Sequence, residues 1–288
     1  MEDIPALENS SDFYVTYRPS FNVLYFAFNY RIAEFRDPLV RQAVSLAIDR
    51  QAIVDAFYPN AVAANTFHPP TISTGFNAEL QTPYDPELAR ELLAQAGYPD
   101  GLSELNVLGQ NEDGTVTDEV VDTIPFQVYV MPVVRPYNPD PEAISTAVAD
   151  MLAEVGIQAE LATAGDWATF LSERSNGNLL GLYPLGWTGD NGDPDNFIGY
   201  FFHDIDEPLA REGWYQNAEI AELLQFARSA TDFAAREQAY LDAEALLAAE
   251  SGRVFVAHGE VPLAFNSRVS GFIPSPFAKE LYKTVSVN

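Results

Sequence analysis

Residues 126–187 alternate three apolar, strand-like runs (126–134, 157–163 and 179–187) with two amphipathic stretches. The first amphipathic stretch opens at Asp140-Pro141. It carries Ile144, Val148, Leu152 and Val155 on one face and stops at Gly156. The second starts at Asp166, carries Trp167, Phe170 and Leu171, and ends near Gly177. Strand, helix, strand, helix, strand at this spacing predicts βαβ units and a largely parallel sheet, hence an α/β fold.

The same opening device recurs at Asp37-Pro38 and Asp85-Pro86. Aspartate accepts from the unpaired N–H groups of a first turn, and proline is pre-set for the first helical position. A strand is expected over 21–29, rich in aromatic and β-branched residues. The helix from 37 has Val40, Ala43, Val44, Ala47 and Ile48 at helical spacing. Residues 59–84 read as a long ordered loop. The helix from 85 is expected to turn Leu88, Leu92, Leu93 and Ala96 inward, with Gly97 past its end. Residues 99–123, rich in Gly, Asp and Asn, read as a surface excursion. Helices over 217–230 and 232–250, a strand over 254–266 and a Pro-rich tail complete the chain. No internal repeat is present.

The chain has 288 residues, with 42 Asp+Glu against 15 Lys+Arg and a formal charge of −27. Its 47% hydrophobic and 12% aromatic content is that of a folded protein, not an acidic disordered tail. The charge argues against nucleic acid or an anionic membrane surface as partner. Cysteine is absent, which excludes a disulfide framework, a Cys-ligated metal and thiol catalysis. No run approaches the ~18–20 apolar residues of a membrane span. No leader pattern follows Met1. Only Lys279 and Lys283 are lysines; this scarcity beside abundant acid has two readings, a salt-tolerant source or GC-rich coding bias in an ordinary acidic protein. His68, His203 and His258 lack ligand spacing, and residues 111–122 fail the glycine position of an EF-hand. No metal or cofactor is expected. Asp190, Asp193 and Asp195 could be imagined as an acid/base pair, but nothing sets two of them across a scissile bond. No enzyme is expected.

Ligands of open α/β sheets sit beyond the carboxyl ends of the strands. Two such ends stand out: Arg135-Pro136-Tyr137-Asn138-Pro139, and the run from Gly186-Trp187-Thr188-Gly189-Asp190 through Asp193-Pro194-Asp195-Asn196-Phe197. A guanidinium at one and carboxylates beside an indole at the other suit a ligand with an ammonium and a carboxylate. Asp193, Asp195 and Asn196 have the simpler reading of turn or cap residues. Gly186, Gly189 and Gly192 are expected to permit turns closed to other residues.

The stretches NVLYFAFN (22–29), DPLVRQAVSLAIDRQAIV (37–54), YDPELARELLAQAGY (84–98), MPVVRPYNPD (131–140), GWTGDNGDPDNF (186–197) and VSGFIPSPFAKELYKTVSVN (269–288) span nearly the whole chain. In them the sequence resembles the solute-binding proteins of ABC importers, in the dipeptide/oligopeptide/nickel class and nearest its dipeptide-binding branch. The resemblance implies the C-terminal lobe of a class II periplasmic-binding-protein fold, a Venus flytrap whose second lobe is incomplete here. By that pattern 1–19 and 260–288 belong to the N-terminal lobe, and 20–259 form the ligand-binding lobe. It implies that Asp190 pairs with a ligand ammonium and Arg135 with a ligand carboxylate. Trp187 would line the cleft, with Thr188 and Gly189 beside it and Tyr137 as a further contact. It also implies a periplasmic or cell-surface receptor, monomeric at full length, that passes short peptides to the membrane subunits of an ABC permease. Other expected ligands are longer oligopeptides, haem, a nickel chelate or an oligosaccharide; a non-binding interaction fragment is the reading from another class. Members are about twice this length, so the chain resembles a fragment. The cysteines that some dipeptide binders carry after DPDNF are replaced by the short acidic stretch 203–214.

Overall fold

The computed structural model describes residues 3–204 and 208–288. The first two residues of the entry segment, and 205–207 of the acidic stretch, lie outside the described residues.

A short helix α1 (Ile4–Glu8) leads into β1 (Phe13–Arg18). Then come β2 (Asn22–Phe28), α2 (Pro38–Ala47), α3 (Arg50–Phe57) and β3 (Ala61–Ala63). α4 (Pro86–Gln95) precedes β4 (Glu104–Gln110) and β5 (Val116–Tyr129). α5 (Pro141–Glu154), β6 (Ala159–Ala162), α6 (Trp167–Ser175) and β7 (Leu182–Thr188) follow. α7 (Ile198–Phe202), α8 (Ala218–Ser229) and α9 (Phe233–Ala249) lead to β8 (Arg253–Gly259) and β9 (Val261–Asn266). β10 (Val269–Ser270) and β11 (Ser286–Val287) pair in the tail.

Aspartate side chains open most of the longer helices. Asp37, Asp85, Asp140, Asp166 and Asp232 each accept from a first-turn backbone N–H, the distances running from 2.8 to 3.3 Å. Asp49 does the same for α3, so the expected helix from 37 is two helices broken at Ile48.

Seven strands form one sheet in the order β3-β8-β2-β7-β5-β4, with β6 added beside β5. The βαβ expectation holds locally, because β5, α5 and β6 make a parallel pair and β7 runs parallel to β5. The expectation of a largely parallel sheet does not hold. β2 is antiparallel to both β7 and β8, β3 to β8, and β4 to β5. The cause lies in burial. β2 and β8 are buried at every position, so they carry the continuous apolar run that parallel strands also show, and strand direction leaves no trace in composition.

β2 divides the core. Leu24, Phe26 and Phe28 pack on one side with Val40, Val44, Ile144 and Val148. Val23, Tyr25 and Ala27 pack on the other with Phe67, Phe170, Leu224 and Tyr240. This is a sheet covered on both faces, each side chain assigned by the period of two.

Three more expectations are corrected. The excursion over 99–123 is largely a hairpin, and β5 continues through it to Tyr129, so the strand placed at 126–134 ends before Arg135. Leu88 is 38% exposed; Ala89 and Leu93 are the buried positions of α4. The strand over 254–266 is split at Glu260: β8 stays in the large sheet, while β9 leaves it to pair antiparallel with β1.

Candidate functional site

Arg135 sits in a tight turn after β5. Its N–H donates to Asn138 O at 3.0 Å, and the N–H of Asn138 returns to Arg135 O at 2.9 Å. The buried Tyr58 hydroxyl donates to Tyr137 O at 2.7 Å and anchors the turn to the end of α3. Burial raises the Tyr137 hydroxyl above its ordinary pKa, against the opposing pull of Arg135. The Tyr137 ring lies over Gly186 of β7, where a Cβ would overlap it and Val23 O.

The turn therefore meets the end of β7. Arg135, Tyr137, Trp187 and Thr188 line one cavity of about 330 Å³. Trp187 stacks on Tyr200 of α7, with ring centroids 5.2 Å apart and planes at 15°. Phe201 meets Trp187 edge-on at 5.4 Å.

Gly189 and Asp190 do not line this cavity; they follow it on the loop past β7. Gly189 donates its N–H to Phe21 O at 3.0 Å. Asp190 is exposed, and its N–H donates to Asn196 Oδ1 at 2.7 Å, so the loop is held by backbone while the carboxylate faces outward. Asp193 accepts from Asp195 N–H and pairs with Arg236 at 2.7 Å; Asp195 pairs with Arg228 at 2.7 Å. Gly186, Gly189 and Gly192 have no positive φ, so the expectation of special turns is corrected. At Gly186 and Gly189 the reason for glycine is close approach, of Tyr137 in one case and of Phe21 and Phe197 in the other.

The cavity has a wall that sequence reasoning missed. Trp167, Leu171 and Arg174 of α6 face it from one side. Their i, i+4, i+7 spacing is the signal that marks a shared helix face. The Arg135 guanidinium lies 4.8 Å from the Trp167 ring centroid. Arg174 Nη2 donates to Glu212 Oε1 at 2.7 Å, and Arg253 Nη2 donates to Glu212 Oε2 at 3.1 Å. Burial is the largest influence on Arg174 and opposes its charge, but Glu212, Tyr25 and Tyr183 together outweigh it and the net shift is upward. Among the described residues no cluster of three or more His, Asp or Glu is placed to hold a metal. No helix among them is long and apolar enough to cross a membrane.

A half-exposed cavity at strand-end turns, on a sheet covered on both faces, is where open α/β folds hold ligands. Residues 1–207 match the bacterial extracellular solute-binding proteins, family 5 (Middle), and the chain belongs to that family. It is 33% identical to heme-binding protein A of Haemophilus influenzae over 270 residues, covering 93% of this chain and 45% of that protein. It is 30% identical to the dipeptide-binding protein of Escherichia coli over 288 residues, covering 99% and 49%. The structure of a dipeptide-binding protein from Pseudoalteromonas sp. SM9913 in complex with Met-Leu superposes with a TM-score of 0.78 at 26% identity, covering 100% of this chain and 52% of that one. The chain thus has the periplasmic-binding-protein fold and spans about half the length of the curated relatives it matches. Membership sets it among non-enzymatic binding proteins.

Proposed function

We propose that this chain is part of the periplasmic or cell-surface receptor of an ABC importer, which binds short peptides by their charged termini and presents them to the membrane permease. The observation that carries this reading is the single cavity uniting Arg135, Tyr137, Trp187 and Thr188, with Asp190 two residues beyond it. Arg135 receives the ligand carboxylate through its guanidinium fork. Asp190 receives the ammonium as the loop closes over the ligand. Trp187 and Tyr200 supply an aromatic floor that accepts varied side chains. Relatives named for dipeptide and di/tripeptide binding support this ligand.

In this reading 20–259 is the ligand-binding lobe, while 1–19 and 260–288 belong to the other lobe. The pairing of β1 with β9, both outside the large sheet, supports that division. Lobe closure around the ligand is the signal to the permease.

Calorimetric titration with Ala-Phe and with N-acetyl-Ala-Phe tests the reading. Binding of the free peptide alone is expected. Equal binding of both removes the ammonium contact, and binding of neither overturns the peptide reading.

A further inference from the structure

The protein carries a formal charge of −27, yet among the described residues its candidate cavity is lined by two guanidiniums, Arg135 and Arg174, and by no carboxylate. Among the described residues neither cation is fully balanced nearby. The Glu212 side chain is 3% exposed and is shared between Arg174 and Arg253, whose own side chain is 0% exposed. Arg211 approaches the same carboxylate at 3.5 Å. Tyr25 and Tyr183 border this group, but burial raises both hydroxyls above their ordinary range, so they stay neutral and offer no negative charge. Arg135 is met by an indole face, the Val134 carbonyl and the Tyr137 hydroxyl, none of which carries a charge. Arg174 keeps one further donor in reserve: its Nε is buried and has no partner among the described residues.

A buried excess of positive charge is costly unless an anion completes it. Arg135 already has a role, since the peptide reading, on which this step rests, gives it the main-chain carboxylate. We infer that Arg174 is a second anion subsite, and that the preferred ligands are short peptides bearing an acidic side chain. The Glu212 carboxylate is the positioning group. It holds Nη2 at 2.7 Å and so fixes the guanidinium from behind, with the Tyr183 hydroxyl as a further partner, where Arg174 lines the cavity. A side-chain carboxylate entering there gains a charge-assisted contact at a partly dehydrated site, an interaction worth about tenfold in affinity. The corresponding carboxamide has the same shape and lacks the charge.

Calorimetry with Ala-Glu and Ala-Gln on the whole chain reads this directly. Wild type is expected to bind Ala-Glu about tenfold more tightly, and Arg174→Gln to bring the ratio near one. Equal affinities in wild type overturn this inference and leave the peptide reading standing. Binding of neither overturns both. A preference that persists in Arg174→Gln removes the assignment to Arg174. If that variant does not fold, the wild-type ratio alone decides.

Discussion

The guanidinium of Arg135 lies over the ring of Trp167, 4.8 Å from its centroid, and the two lie 32 residues apart in sequence. The contact orients a cation whose other neighbours are the Val134 carbonyl at 3.4 Å and the Tyr137 hydroxyl. A cation over an indole gains about 0.5–1 kcal/mol at a partly exposed site. Trp167→Ala is therefore expected to weaken peptide binding about two- to fivefold, while Trp167→Phe keeps most of the affinity. Titration of both variants with one dipeptide checks this; equal losses in the two would show that ring face is not what matters.

Asp190 makes its local contact through its backbone and leaves its carboxylate exposed. Removing that carboxylate should leave the fold intact and act on ligand alone. Asp190→Ala is expected to bind a free dipeptide about thirtyfold less tightly or worse, with its N-acetylated twin unaffected. The melting temperature should match wild type. A variant that melts early but binds normally would make Asp190 a loop residue and nothing more.

Helix starts were the most legible part of the sequence, because an Asp side chain and a Pro act within four residues of themselves. Asp85, Asp140 and Asp166 all cap where their patterns indicated. Strand direction was not legible, since β2 and β8 are buried throughout and show no alternation. The 99–123 hairpin was hidden by exposure: residues 118–123 of β5 are exposed at every position, so no apolar face marks them as strand. In the candidate site, Arg135, Tyr137, Trp187 and Thr188 were legible as strand-end residues and share one cavity. Trp167 and Arg174 were missed because α6 was read only for what it buries, and Phe170 alone does that.

Gly186 is where the two halves of the cavity touch. A Cβ there would overlap the Tyr137 ring and Val23 O, and the carbonyl belongs to the neighbouring strand and cannot step aside. Gly186→Ala is expected to destabilise by about 1–3 kcal/mol, the usual cost of overpacking. It should also weaken binding, because Tyr137 must swing toward Arg135. Urea unfolding measures the first effect and calorimetry the second. A variant as stable as wild type would mean that β7 and the 135–138 turn separate freely.

Glu244 is a buried carboxylate beneath the other face of the sheet. It accepts from Phe67 N–H at 2.9 Å, His68 N–H at 3.1 Å and His68 Nδ1 at 2.6 Å. Glu244→Ala leaves these donors buried without an acceptor, and the expected loss is about 3–5 kcal/mol. Chemical denaturation of the variant reads it; a loss near zero would mean that solvent reaches this pocket.

His258 makes the stability pH-dependent in a way the surface acids do not. It is 1% exposed, its Nδ1 donates to Asn22 O at 2.8 Å, and its Nε2 has no partner among the described residues. Burial lowers its pKa from 6.5 to about 4, and the carbonyl of Asn22 only partly offsets this. Between those values the unfolded chain binds the proton and the folded chain does not. The stabilisation is therefore whole above the unfolded value and is lost as pH falls from 6.5 through 4, by up to about 3 kcal/mol. The carboxylates of so acidic a chain push the other way, since protonating them relieves repulsion. The test is thus a difference: unfolding free energy of wild type minus that of His258→Asn, at pH 7.5, 5.5 and 4.5. The difference is expected to shrink steadily toward acid. If it stays constant, His258 is not the group that titrates.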